Sequence, residues 1–197
     1  MVPVSLKSLV GKLNDTCRRT LEGAAGLCLS RTNYNVEIEH WLVKLLEENN
    51  TDLAVLLEHY GVDVSRLAAD LTRTLDRLKT GNARPPALSP TVVELAREGW
   101  VLASIEFGAP VTRSAHLLAA LLSDESLART AREASAEFDK INAQSLLKEF
   151  PSLVNSTVEA TQGMAAAGAS PGGRAFPVLS RSSVRVRSAA SRELSTP

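Results

Sequence analysis

Aromatic residues make up only 4% of this 197-residue sequence, and stretches alternating aromatic or β-branched residues with polar ones are scarce. That argues against a sheet as the main scaffold, since strands draw on such residues for their half-buried pleated faces. Leu, Val and Ala must fill the interior instead. No apolar run approaches the roughly 20 residues that a membrane-spanning helix needs. The N-terminus also lacks a basic start followed by an apolar stretch, so neither membrane insertion nor a secretory leader is expected, and a cytoplasmic address is the default. Cysteine is limited to Cys17 and Cys28. On one helix they would share a face about 16 Å apart at 1.5 Å per residue, too far for a disulfide, which needs Cα atoms within about 7 Å. Free buried thiols are expected. Nor does charge of one sign dominate, with 22 basic against 22 acidic residues. Residues 1–150 carry 17 Lys and Arg against 20 Asp and Glu, whereas 151–197 carry five Arg against Glu159 and Glu193. The first part therefore offers no basic footprint for nucleic acid.

What the sequence does contain is an internal echo. Glu39-His40-Trp41-Leu42-Val43-Lys44-Leu45-Leu46 returns 76 positions later as Ala115-His116-Leu117-Leu118-Ala119-Ala120-Leu121-Leu122. A His followed by Leu at +2, +5 and +6 marks one helix face, and meeting it twice implies a duplicated helical unit. Leu53 answers to Leu127 and Leu67 to Ile141 at a spacing of 74, a slip that a small loop difference explains. The fold expected is all-α, a pseudo-duplicated bundle of about eight helices, with repeats at about 12–80 and 88–150 in a domain spanning 1–150. Roughly 150 residues suffice for a self-contained core.

Leu6, Leu9, Val10, Leu13, Cys17, Leu21, Ala24 and Cys28 follow helical spacing without interruption. This stripe begins earlier than one repeat requires, and residues 1–11 have no counterpart in the second half. Gly23 to Gly26 form a small-residue patch within it. A helical Gly costs about 1 kcal/mol relative to Ala, so two together suggest close approach by another element, either within the domain or as a bound helix. Glu37 to Glu48 is the His-bearing helix. Asp52 is expected to cap the next one, Gly61 stops it, and Asp63 or Ser65 opens a fourth. Lys79 to Ala87 links the halves, and Ser89-Pro90 pairs an N-cap hydroxyl with proline at N1. That helix runs to Phe107, and 112–122, 124–134 and 137–149 complete the second half, with Pro151 as its stop. Residues 151–197, rich in Ala, Gly, Ser and Arg, are expected to be a disordered linker or tail.

No catalytic constellation is visible. His40 and His116 are equivalent residues in separate repeats and point to a structural role at a helix start; His59 stands alone, and no histidine belongs to a cluster with metal-ligand spacing. No Ser sits on a G-x-S-x-G turn. Gly163 to Ser170 has the glycine spacing of a phosphate loop but Ala169 in place of the essential Lys. No enzymatic activity, cofactor or metal is therefore expected. The arginines of the tail show no amphipathic period and read as solvated.

The duplicated His-x-Leu-x-x-Leu-Leu anchors resemble the N-terminal domain of the Clp/Hsp100 AAA+ unfoldases, and most closely that of the ClpV branch, the type VI secretion ATPase. The residues that carry the resemblance are Gly11-Lys12-Leu13-Asn14, Leu21-Glu22-Gly23-Ala24, Val36-Glu37 with His40-Trp41-Leu42, Asp52-Leu53, Leu67-Ala68 with Asp70-Leu71, and Glu98-Gly99-Trp100-Val101 with Phe107-Gly108. They cover about residues 5–150. The resemblance implies a substrate receptor tethered to hexameric AAA+ rings. Its partner would be the N-terminal helix of the large sheath subunit, exposed once the sheath has contracted, so that sheath is disassembled and recycled. It also implies an extended N-terminal helix that builds the peptide groove, here Leu6, Leu9, Val10, Leu13 and Cys17 with Gly23 and Ala24. An amphipathic peptide helix needs such an apolar groove, although the same leucines could simply close the core. A general Clp N-domain that binds degradation adaptors or unfolded proteins is the other reading. The ATPase signatures of the ring motors are missing from the sequence, so a fragment, a truncated product or a stand-alone receptor is expected.

Overall fold

In the computed structural model, which describes residues 5–162, the N-terminal leucine stripe is divided between two helices. α1 (Leu6–Val10) stops at Gly11, and α2 (Asp15–Ser30) starts afresh behind Asn14, whose side-chain oxygen accepts from Cys17 N at 2.8 Å. Asn is a strong N-cap because its side chain satisfies an amide that the helix leaves orphaned. The backbone between the two helices is used elsewhere: Thr112 N donates to Lys12 O at 2.7 Å and Asn14 N donates to Thr112 O at 2.9 Å. The uninterrupted helix expected from the spacing is therefore broken by a cap and a backbone clasp.

The first repeat continues with α3 (Ile38–Leu46), α4 (Asp52–His59) and α5 (Val64–Asp76). The second consists of α6 (Pro90–Ile105), α7 (Ser114–Ser123), α8 (Glu125–Ala134), a 3-10 turn (Ala136–Lys140) and α9 (Ala143–Leu153). Several boundaries follow the expected chemistry. Ser89 caps α6 with Pro90 at its first position, Asp63 caps α5, and Gly61 leaves α4 with φ +65°. Others differ. Thr51, not Asp52, caps α4, accepting from Ala54 N at 3.1 Å. The segment 137–149 is split at Ile141 and Asn142, because Asn142 caps α9 through the amides of Gln144 and Ser145. Pro151 does not end the helix; it lies in the exposed final turn, where only one backbone bond is lost.

The repeats are clasped by two short parallel contacts. β1 (Asn35–Val36) pairs with β2 (Ala87–Leu88), placing Val36 beside Leu88, and Leu13 bridges to Thr112. Val36 and Thr112 are equivalent under the 76-residue shift, and Leu88 answers to Lys12 beside Leu13. In each case the residues leading into one repeat's long helix pair with those leading into the other repeat's histidine helix. The packed unit also continues beyond the boundary expected at 150. Val154, Thr157 and Glu159 are buried, and residues 158–162 are helical. A disordered segment beginning at 151 is therefore incorrect for 151–162; the remainder of that expected tail, 163–197, lies outside the described residues, as does the Gly163–Ser170 near-miss.

Equivalent glycines show how the two halves pack differently. Gly99 on α6 lies against α7 so closely that a Cβ would meet Leu117 Cδ2 at 2.9 Å and Thr112 Cγ2 at 3.3 Å. Gly23 on α2 faces only the Lys44 side chain at 3.5 Å, and Gly26 faces nothing within 4 Å. Close approach is thus a property of Gly99, not of the Gly23–Gly26 patch. In the first repeat Trp41 replaces Leu117, and its indole Nε1 donates to Thr20 Oγ1 at 3.1 Å and Cys17 O at 3.2 Å. Opposite outcomes follow for one substitution. Gly23→Ala should raise stability by about 0.5–1 kcal/mol through helix propensity, and Gly99→Ala should lower it by about 1–3 kcal/mol through overpacking. Urea unfolding midpoints that move in the same direction for both would contradict this packing.

Candidate functional site

The seven residues expected to line a peptide groove do not share one surface. Leu9, Leu13, Cys17 and Ala24 are buried in the core, whereas Leu6 is 45% exposed and Val10 and Gly23 are half-buried. On α1 itself Leu9 faces the core while Leu6 and Val10 do not, and after the break at Gly11–Asn14 the stripe continues inward at Leu13 and closes the domain's own interior. What remains accessible is the outer edge of α1. Three elements meet at the Lys12–Asn14 turn. They are α1 itself, α6, whose half-buried Trp100 carries Lys12 Nζ at 4.6 Å from its ring centroid, and 158–162, held by Asn14 Nδ2 donating to Glu159 Oε2 at 2.8 Å. Each presents apolar surface, through Leu6 and Val10, through Trp100, and through Val158 at 45% exposure.

Beneath that turn lies a buried polar knot centred on Glu159, which falls in the segment expected to be a disordered tail. Glu159 is fully buried, and its carboxylate accepts from Asp52 N at 3.0 Å, Ser114 N at 2.8 Å, Asn14 Nδ2 and Ser114 Oγ. Asp52 and Ser114 are the first residues of α4 and α7, so one carboxylate satisfies the N-termini of a helix from each repeat. Anionic groups are stabilised there by unpaired amides and the helix dipole. Leu53 N donates to Ser114 Oγ at 3.0 Å, tying the two termini together directly. Alongside, Arg113 Nη2 donates to Asp52 Oδ1 at 2.7 Å, Val154 O at 2.9 Å and Thr157 Oγ1 at 3.2 Å. Burial and the neighbouring Glu159 push the Asp52 carboxyl up to about 6, against the opposing pull of Arg113 and Thr157. A signal for this segment was present in the sequence: Ser156 and Thr157 ahead of Glu159 form a helix-start pattern, and Thr157 Oγ1 indeed accepts from Ala160 N at 3.3 Å.

The paired histidines are caps. His40 Nδ1 accepts from Glu37 N, and His116 Nδ1 accepts from Arg113 N, each at 3.0 Å, in the way a Glu or Gln side chain does at that position. Both rings must be neutral to accept. His40 Nε2 pairs with Asn33 Oδ1 at 3.1 Å, and His116 packs against Phe107 and Phe150 with ring centroids 5.6 and 5.4 Å away. Burial lowers both to about 4, aided by the positive charge of Arg31 for His40 and of Arg113 for His116. Cys17 and Cys28 are free, buried thiols on α2. Burial first, then the negative charges of Glu159 and Asp52, drive the Cys17 thiol well above its ordinary value, which leaves it unreactive. Among the described residues no group of three His, Cys, Asp or Glu could hold a metal ion, and no helix is long and apolar enough to cross a membrane.

The geometry defines a clasped, double-repeat α-helical domain whose polar residues cap and lock helices and whose accessible apolar edge is built on a helix without an internal counterpart. Comparison with known proteins narrows the class. The family model of the Clp repeat (R) N-terminal domain matches residues 12–104. The AAA+ ATPase ClpV1 of Pseudomonas aeruginosa is 36% identical over 177 residues, covering 87% of this chain and 19% of that protein. The N-domain of ClpV from Vibrio cholerae superposes with a TM-score of 0.71 at 30% identity, covering 81% of this chain and 95% of that one. A complex of a ClpV N-domain with a VipB peptide gives a TM-score of 0.70 at 28% identity, covering 81% and 97% respectively. The chain belongs to the family of ClpV N-terminal domains, as the His-Trp-Leu and Gly-Trp elements imply. It spans about a fifth of the length of the curated relatives it matches, 19% of ClpV1.

Two measurements test the polar interior. Glu159→Ala strands the amides of Asp52 and Ser114 and the Asn14 side chain, so it should destabilise by about 3–5 kcal/mol, and ending the chain at 150 should do at least as much. An unfolding midpoint unchanged in both would remove Glu159 from this role. The histidines set an acid limb. Between pH 6.5 and about 4 the unfolded chain binds protons that the folded imidazoles refuse, so stability falls as pH drops through that window. Asp52 opposes this, because a carboxyl raised to about 6 favours the folded state as pH falls from there to its ordinary 3.8. His40→Gln keeps an acceptor at the cap and should remove roughly 2–3 kcal/mol of the loss between pH 7 and 4.5. An unaltered pH slope in that variant would show that His40 does not titrate as the structure requires.

Proposed function

We propose that this domain is the substrate receptor of a ClpV-like type VI secretion ATPase, working in the cytoplasm without catalytic chemistry of its own. Its substrate is the N-terminal helix of the large sheath subunit, taken from contracted sheath so that the sheath is disassembled and recycled by the AAA+ ring to which such domains are joined. The observation that carries this reading is the unduplicated α1, which packs on α6, keeps Leu9 in the core and leaves Leu6 exposed and Val10 half-buried. A guest helix with apolar residues at i, i+3 and i+4 needs such an edge. The complex of a related N-domain with a VipB peptide supports a peptide ligand. Within the expected groove set, Leu6 and Val10 touch the guest, Leu9 and Leu13 hold α1 in place, and Cys17, Gly23 and Ala24 belong to the supporting helix.

Capture of degradation adaptors or unfolded proteins is the second reading, favoured by the general Clp repeat match. A titration of the full chain with a labelled sheath-subunit N-terminal helix separates the two. Saturable binding that Leu6→Asp or Val10→Asp weakens at least tenfold, with unchanged thermal unfolding, is the expected result. A preference for a permanently unfolded protein over the helix would transfer the assignment to the second reading.

A further inference from the structure

On the first repeat, away from α1, α3, α4 and the start of α5 enclose an apolar hollow of about 300 Å³. Leu45, Leu57 and Val62 are its buried floor; Leu46, Ala54 and Val64 form the walls, and the exposed Glu58 stands at the rim. The internal duplication shows what such a hollow takes. Under the shifts of 76 and 74 residues, Leu45 answers to Leu121, Ala54 to Ala128, Leu57 to Ala131 and Val64 to Phe138. In the second repeat Phe138 is 1% exposed and belongs to the core, whereas Val64 is 40% exposed. The larger Leu57 fills part of the difference from below, and the hollow remains open above it. The rim differs as well. Arg132 pairs with Asp139 at 3.2 Å in the second repeat, but its counterpart in the first is Glu58, an acid that enters no ion pair among the described residues.

The first repeat therefore lacks one aromatic side chain and one cation, and the chain carries both outside its described part. Phe176 follows Arg174 by two positions in Arg174-Ala175-Phe176-Pro177-Val178-Leu179, and residues 163–197 hold five Arg against Glu193 alone. We infer that this hollow is a socket for Phe176 of the same chain, with Arg174 meeting Glu58 at its rim. The 14 residues from Gln162 to Phe176 reach about 45–50 Å when extended, more than the roughly 40 Å diameter of a domain this size. A short tether supplies an effective concentration of about 1 mM, so a contact too weak to hold two separate molecules is populated within one. Occupancy of the socket would draw the segment that follows the domain back onto its first repeat, on elements other than those bearing the proposed peptide edge.

The test uses the full 197-residue chain with the photo-crosslinking residue p-benzoylphenylalanine at position 176. Intrachain products mapped by mass spectrometry should fall on residues 45–64. Their yield should drop at least fivefold in Val64→Phe, which fills the hollow as Phe138 does, and in Leu46→Asp, which makes its wall polar, should Val64→Phe perturb folding. Glu58→Arg should lower the yield and Glu58→Arg with Arg174→Glu should restore it. Products on other surfaces, products joining two chains, or yields indifferent to both socket variants would each overturn the assignment.

Discussion

One buried carboxylate holds the domain together. Glu159 occupies the point where α4 of the first repeat and α7 of the second both begin, and its two oxygens serve both helix ends and Asn14. A lone carboxylate away from water is strongly disfavoured, so it persists only because orphaned amides and the ends of two helix dipoles surround it. The relation is reciprocal: without the carboxylate, those amides would be buried and unpaired. Arg113, Asp52 and Thr157 extend the knot and bring in the carbonyl of Val154. The consequence is that the last described turn is a structural part of the domain, and the N-terminal turn carrying α1 is set by the same contact.

Duplication supplies the frame, and divergence supplies the distinct surfaces. Both α3 and α7 carry a neutral histidine on the N-cap amide, and both repeats exchange a short parallel contact across the domain. Those shared devices satisfy backbone groups, which any copy of the unit must do. The differences lie where side chains meet. Trp41 with Thr20 is set against Leu117 with Gly99, and Val64 against Phe138. Each pair exchanges volume between neighbouring elements, closing one half more tightly and leaving hollows or edges on the other. α1 stands outside this scheme. It packs on α6 of the opposite repeat and, among the described residues, leaves Leu6 exposed and Val10 half-buried.

The candidate site was only partly legible for a physical reason. Helical periodicity identifies a stripe that wants burial, but it does not say whether the chain's own core or a guest provides it. Leu9 and Leu13 are indistinguishable in spacing from Leu6, and only the packing of α1 and of the turn after it separates inward from outward positions. Residues 151–162 resemble a linker in composition, and a single acid among Ser, Thr and Val carries no periodic signal. Its importance comes from contacts 107 and 145 residues distant in the chain, to Asp52 and Asn14.

By itself the sequence determined the helical class, the twofold repetition, most helix starts and the family, because these rest on local patterning, capping chemistry and short motifs. Only the tertiary structure decided that the packed unit continues past residue 150, which leucines face solvent, and that Gly99 and not Gly23 marks a close approach. Those properties depend on which distant groups come to share one low-dielectric space, and that is settled by packing alone.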